Sequence, residues 1–217
     1  MFSYRHPHPA VTTNVVIFTI VSDSLKVLLV RRARPPFEGS WALPGGFIDL
    51  AEDLEDSAMR TLERETGVRG VYLEQLYTFG QPGRDPRERV IAVAYYTLVP
   101  FERVKPRTHD GVGWFALDEH PKLAFDHDEI AATAARRLAA KLDYSTIAFG
   151  FMPEEFTLSD LQHVYEIIQR EEIDKRNFRK RVLALNHIEA SGERRNGSHR
   201  PATLYRLKNP GQITFIK

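Results

Sequence analysis

The sequence predicts an α/β domain over residues 1–143, a linker over 144–156, and a small helical domain ending in a β-hairpin over 157–217. Three observations carry this division. Strand-like and helix-like hydrophobic periods alternate as far as Asp143, and Gly150 and Pro153 interrupt the pattern between Tyr144 and Phe156. The charge also changes along the chain. From Asp174 to Lys217 eleven basic side chains face three acidic ones, a net +8, so the first 173 residues carry −7 within a chain of net +1. An acidic body with a basic attachment suits a polyanionic partner, and equally a solvated charged surface. Position has to decide between them.

In the first domain, Val11–Ile20 and Lys26–Arg31 are rich in Val, Ile, Leu and Thr and flank the polar Ser22-Asp23-Ser24, which predicts paired strands. A loop with Pro35, Pro36 and Gly39 leads to Trp41-Ala-Leu-Pro-Gly-Gly46. A helix is expected from about Asp53 to Thr66, closed by Gly67. Val71–Phe79 and Val90–Leu98 read as strands around a Gly- and Arg-rich stretch at 80–89, and Gly113–Ala116 is short and aromatic. Ile130, Ala134, Leu138 and Leu142 recur every four residues and predict a helix over Asp126–Leu142.

In the second domain, Thr157 with Asp160 three residues later is a capping-box start. Leu161, Val164, Tyr165 and Ile168 then line one helical face. A second helix begins near Asp174, with Phe178, Val182 and Leu185 turned inward. Opposite them lie Arg176 and Lys180, flanked by Asn177 and Arg179. Gly192-Glu-Arg-Arg-Asn-Gly197 has turn chemistry, and Ala202–Leu207 suits a return strand. Helix, turn, helix and a hairpin with a basic tip make a winged helix-turn-helix. In that arrangement Lys175, Arg176, Asn177, Arg179 and Lys180 occupy the first turns of a recognition helix, where Arg and Asn read base edges and Lys holds phosphate. Arg194, Arg195, His199 and Arg200 would set the wing against the DNA backbone or minor groove.

Composition narrows the function classes. The 217 residues, 42% hydrophobic and 27% charged, are those of a folded protein long enough for two cores. With no Cys, a disulfide framework, a Cys-ligated metal and a thiol nucleophile are excluded. Arg5, His6 and His8 interrupt any signal peptide at Met1–Thr13, and no apolar run approaches the roughly 18–20 residues of a membrane span. A cytoplasmic protein without a membrane partner is expected.

Gly46, Glu52, Arg60, Leu62, Glu65, Gly67 and Val68, preceded by Leu43-Pro44-Gly45, stand at the spacing of the Nudix box, in register over 23 residues. The first domain therefore resembles the Nudix hydrolase family, which implies an α/β/α sandwich and cleavage of a substituted nucleoside diphosphate by water and divalent metal. That chemistry needs three carboxylates at i, i+3 and i+4 on one helical face around a hard cation such as Mg²⁺. Here the three positions hold Thr61, Arg64 and Glu65. Glu63 lies about 100° or more off that face. A guanidinium in place of a carboxylate changes the local charge by two units where a dication should sit, which opposes metal binding by several kcal/mol. A degenerate, non-hydrolytic box is expected, with no cofactor required. Mg²⁺ enters only with residual hydrolysis, and Glu65 is its one weak candidate ligand. Arg64 either offers its charge to a bound diphosphate or pairs with Glu63 or Glu65. Glu52 and Arg60 match the pair that props the loop against the helix in the family.

Tyr77–Tyr96 resembles the corresponding stretch of ADP-ribose pyrophosphatase-like Nudix proteins. The resemblance implies a cleft in which Arg84 and Arg87 engage phosphates bidentately, Phe79, Phe37 or Trp41 stacks on adenine, and Arg32 faces the ligand. Core packing for the aromatics, and ion pairs with Asp85 or Glu88 for the arginines, are the alternatives. His127 follows Asp126 at a helix start, where it serves either as a capping neighbour or as a ligand contact.

Phe156–Glu166, Asp174–Arg179 and Arg200–Arg206 resemble the C-terminal domain of Nudix-related transcriptional regulators. In that family a catalytically weak Nudix domain senses ADP-ribose, and a winged helix binds operators of NAD or sugar metabolism genes. The resemblance implies a repressor whose partners are double-stranded operator DNA and ADP-ribose or a similar nucleotide, acting as a homodimer. Two other readings are an ADP-ribose pyrophosphatase-like hydrolase, and an adaptor that uses the basic domain for protein contacts.

Overall fold

The structure, a computed structural model, describes residues 5–104, 111–195, 201–210 and 212–215. The first domain is built on β1 (Ala10–Val21), β2 (Ser24–Arg31), β3 (Trp41–Ala42), β4 (Gly45–Phe47), β5 (Leu73–Phe79), β6 (Val90–Leu98) and β7 (Val112–Ala116), with helices α1 (Leu54–Thr66) and α2 (His127–Lys141). The sheet runs β3-β2-β1-β6-β5, with β4 also on β1 and β7 on β2. β1 and β6 are parallel, and the other pairs are antiparallel.

Central β1 explains the layering. Its residues 14–18 are buried on both faces, which the apolar run Val15-Val16-Ile17-Phe18 requires. Val15 and Ile17 pack with Ala58 and Leu62 of α1, while Val16 and Phe18 pack with Ile130, Ala134 and Leu138 of α2. The result is the α/β/α sandwich that the motif implied. Asp53 caps α1 by accepting the Glu55 N–H at 3.1 Å, and Gly67 closes the helix at φ +70°. Gly45 is required by close approach, because a Cβ there would stand 2.3 Å from the Thr13 carbonyl oxygen.

The second domain comprises α3 (Leu158–Gln169), α4 (Lys175–Ala184), β8 (Ile188–Arg195) and β9 (Ala202–Leu207). The Thr157/Asp160 capping box forms in both directions, at 3.1 and 2.8 Å. Leu161, Val164 and Tyr165 of α3 meet Phe178 and Val182 of α4, with the Tyr165 and Phe178 rings edge to face at 5.2 Å. Leu185, expected inward, is only half-buried. The stretch expected to turn at Gly192 stays in β8 as far as Arg195. A bulge between Ala190 and Arg194, with Gly192 at φ +91°, absorbs the irregular residues within the strand.

The stretch expected as a linker is a buried 3-10 turn over Ile147–Phe151, not an exposed tether. Gly150 reads as a breaker, yet a Cβ there would stand 3.0 Å from the Leu98 Cβ, so its lack of a side chain allows close packing on β6. Phe149, Phe151 and Phe156 join the core of α2 to that of α3 and α4. Polar ties reinforce this seam. His163 of α3 meets Asp23 of the β1–β2 turn at 2.7 Å, and Arg170 meets Asp118 at 3.1 Å. After β9 the chain returns to the first domain, where the Thr146 N–H donates to the Thr214 carbonyl at 3.0 Å.

The N-terminus of α2 is anchored by His127, buried to 4% exposure. Its Nδ1 accepts the Leu43 N–H at 2.9 Å, and its Nε2 lies 3.4 Å from Asn14 Nδ2. Burial pushes the ring's pKa down to about 3. A depressed pKa means the folded protein excludes a proton that the unfolded chain accepts below about 6.5. The contribution is complete above that pH and is lost as pH falls toward 3. Urea unfolding at pH 7.5 and 5.0 should show the wild type losing about 2 kcal/mol more than His127→Asn; equal losses would contradict the assignment. In the second domain, Thr157→Ala should cost about 1 kcal/mol by the same method, and a loss within error would show that the cap is dispensable.

Candidate functional site

The box helix α1 is closed by ion pairs. Arg60 forks onto Glu52, with Nε to Oε1 and Nη2 to Oε2 both at 2.7 Å, and this holds the Glu52 carboxyl below the usual carboxylate range. Ser57 ties that pair to β1 through Arg60 at 3.4 Å and Thr13 at 2.9 Å. Thr61 is buried in the inner face of the helix. Of the two readings of Arg64, the structure contains the ion pair, with Nε 2.6 Å from Glu65 Oε1. Glu63, the remaining box carboxylate, is bound by Arg69. Glu52, Glu63 and Glu65 are thus each neutralised by a guanidinium. This donor set does not fit Mg²⁺, which needs several free oxygens. Among the described residues no three His, Asp or Glu side chains are grouped to hold a metal ion.

A second constellation gathers around Phe125, which the sequence did not single out. The Arg32 guanidinium lies 4.7 Å from the Phe125 ring centroid, and its Nε donates to the Pro36 carbonyl at 2.8 Å. Phe37 meets the same ring edge to face at 4.9 Å. Arg87 stands 6.0 Å from Phe125 and 5.3 Å from Phe47, steered by Asp85 through contacts of 3.0 and 2.7 Å. Burial, and then the Arg87 charge, lower the Arg32 pKa, whereas the hydrogen bonds from Arg87 hold Asp85 below its ordinary value. Two cations facing one partly buried ring repel each other, and a phosphate would relieve that repulsion. The aromatic faces suit a planar base. Phe37 and Phe125 both adopt left-handed backbone, at φ +62° and +57°. For bulky residues this is strained, and such strain concentrates at ligand sites.

Arg32, Phe37 and Arg87 therefore come together, and the other candidates do not join them. Arg84 is 4% exposed and closed bidentately on Asp126, so it has no free face for a ligand. Phe79 is core. Trp41 is half-buried with its indole edge-on to Phe115 at 4.7 Å. His127 has both nitrogens engaged inside the protein. Phe47 and Phe125 were missed because a single aromatic at the end of a three-residue strand or in a loop carries no period. The only signal for Phe125 was its place just before a helix start.

On the second domain, Lys175, Arg176, Asn177, Arg179 and Lys180 are all exposed on α4. Among the described residues, none of these four cations makes an ion pair. Asp174 caps the helix by accepting the Asn177 N–H at 2.8 Å and leaves the Asn177 side chain outward. Arg194 is also exposed and unpaired, but Arg195 is not free. Its Nη1 grips both Asp160 oxygens at 3.1 and 2.9 Å, bracing the wing against the start of α3. His199 and Arg200 lie outside the described residues. No described helix is long and apolar enough to cross a membrane.

Comparison with known proteins matches these two parts. Residues 11–140 match the model of the NUDIX domain, and residues 148–207 match that of the NrtR DNA-binding winged helix domain. The chain is 36% identical to the ADPR responsive transcriptional repressor NtrR of Acinetobacter baylyi, over 93% of this chain and 83% of the relative. Among solved structures it is similar to Shewanella oneidensis NrtR complexed with a 27mer DNA, with a TM-score of 0.87, 38% identity, and 91% and 93% of the two chains covered. The NUDIX domain of the same Shewanella protein, solved with ADP ribose, superposes on 61% of this chain and 90% of its own at a TM-score of 0.56 and 37% identity. A NUDIX domain followed by an NrtR winged helix, matched nearly end to end by such a repressor, places this chain in the family of Nudix-related transcriptional regulators.

Proposed function

We propose that the protein is a transcriptional repressor that binds operator DNA through α4 and the wing, and releases or retains it in response to ADP-ribose or a similar nucleotide in the Phe125 cleft. The observation that carries the reading is α4, whose exposed face presents Lys175, Arg176, Arg179 and Lys180 without an acidic partner. A merely solvated basic helix would gain from neighbouring carboxylates. A helix that trades them for phosphates and base edges is better left unpaired. Arg176 and Asn177 near the helix start are the base readers, and Arg179, Lys180 and Arg194 are the phosphate contacts. Arg195 acts by bracing the wing.

In the first domain the cleft binds without turnover. Arg32 and Arg87 hold the diphosphate, Phe125 and Phe37 offer their faces to the base, and no step requires a metal. Arg64 neutralises Glu65, so that carboxylate does not repel an anionic ligand. Ligand controls DNA only if it binds more tightly to one arrangement of the winged domains than to the other. Two copies related by a two-fold axis would read half-sites separated by about 34 Å or a multiple of it. Regulated genes of NAD metabolism and a cytoplasmic setting complete the proposal.

Two measurements test it. Fluorescence anisotropy with DNA from upstream of the protein's own operon should show binding preferred over a scrambled duplex and altered by ADP-ribose. Equal, weak binding to both duplexes would overturn the reading. In the same assay Arg176→Ala should relax sequence preference, while Arg194→Ala should weaken all sequences alike and reduce the salt slope by about 1; the reverse pattern would show that groove and wing are misassigned. In calorimetry, Arg87→Ala should weaken ADP-ribose by about tenfold or more through loss of a charge-assisted contact, and unchanged affinity would place the ligand elsewhere.

A further inference from the structure

Arg84 and Asp126 are 42 positions apart, yet they form the most deeply enclosed guanidinium–carboxylate pair in the described structure. Arg84 Nε lies 2.7 Å from Asp126 Oδ2, and Nη2 lies 2.5 Å from Oδ1. The Arg84 side chain is 4% exposed. A fork buried to this extent fixes position and angle together.

The use of Asp126 is unusual for its place in the chain. It stands at the N-cap of α2, where an Asp side chain ordinarily accepts a backbone N–H of the first turn. Here it makes no capping bond, and its carboxylate goes wholly to Arg84. The residues on either side of the pair belong to the ligand cleft. Phe125, immediately before Asp126, holds the left-handed φ of +57°. Asp85, immediately after Arg84, orients Arg87. On the opposite flank the same segment is pinned to β3 by the Ala124 N–H, which donates to the Trp41 carbonyl at 2.8 Å. The strained residue is thus held from both sides, and one of those restraints is the ion pair.

We infer that Arg84 and Asp126 are positioning residues for the nucleotide site: their buried fork holds Phe125 in its strained conformation and sets the Asp85–Arg87 arm beside it, without either residue touching ligand. This rests on the reading of the Phe125 cleft as that site. It gives Arg84 a different role from the phosphate contact its sequence context suggested.

The test is a double-mutant cycle on the full chain, read as ADP-ribose affinity by calorimetry, with thermal melting to confirm folding. Phe125→Ala should weaken binding about tenfold, the scale of one lost aromatic contact to a base. Asp126→Asn should weaken it by a similar factor. The double variant should lose less than the product of the two single losses, because the pair acts in part through that ring and in part through the Asp85–Arg87 arm. Arg84→Lys keeps the buried charge opposite Asp126 and loses only the fork, so it serves where Asp126→Asn fails to fold; it too should weaken binding. Asp126→Glu, able to remake the fork, should recover part of the loss. Wild-type affinity in Asp126→Asn or Arg84→Lys, or losses that simply multiply in the double variant, would overturn the inference. Unchanged affinity in Phe125→Ala would instead overturn the placement of the nucleotide, and the inference with it.

Discussion

The apolar seam between the two domains is the constraint on which the rest of the molecule depends. Phe149, Phe151 and Phe156 lie in one continuous core with α2 on one side and with α3 and α4 on the other. Burying a Phe side chain contributes about 2–3 kcal/mol, whereas exposed ion pairs such as Arg170–Asp118 contribute roughly 0–1 kcal/mol each. The aromatic packing therefore sets how the winged domain sits, and the ion pairs trim it. α2 spans the structure between the two functional regions. Its first residues adjoin Phe125 and Asp126, and its far end reaches Lys141, whose ammonium lies 5.1 Å from the ring of Phe215 in the segment after β9. The Phe125 cluster and the winged domain thus both adjoin α2, a physical link through which one could bias the other.

A single electrostatic theme runs through the first domain. The box keeps its backbone architecture through Gly45, the Glu52–Arg60 fork and the Gly67 cap, and it turns its remaining charges inward on themselves. Arg64 on Glu65 and Arg69 on Glu63 give neutral pairs where a metal-binding surface would need net negative charge. Arg32 over the Phe125 ring and the cations Lys175, Arg176, Arg179 and Lys180 of α4 make no ion pair among the described residues.

Much of this was legible in the residues. The buried run of β1, the four-residue period of α2 and the caps Asp53, Gly67, Thr157 and Asp174 are local signals that survive folding unchanged. The exposed face of α4 was readable for the same reason, since Phe178 and Val182 fix which side turns out. Long-range pairing was not readable. Arg84 and Arg87 look alike in sequence, and only the fold shows one sealed by Asp126 and the other steered by Asp85 toward Phe125. Arg195 looked like a wing contact until β8 carried it to Asp160. Gly150 and Pro153 suggested a linker because a glycine that permits close packing on Leu98 has the same signature as one that breaks a helix.

A box in which Glu52, Glu63 and Glu65 are each paired with a guanidinium is, on the proposed reading, a binding site without need of metal. Calorimetric titration of ADP-ribose into the full chain, in EDTA and again in excess Mg²⁺, with the recovered nucleotide checked for cleavage, tests it most directly. The account predicts equal affinity in both and intact ADP-ribose at the end. Binding that collapses in EDTA, or Mg²⁺-dependent appearance of AMP, would contradict it.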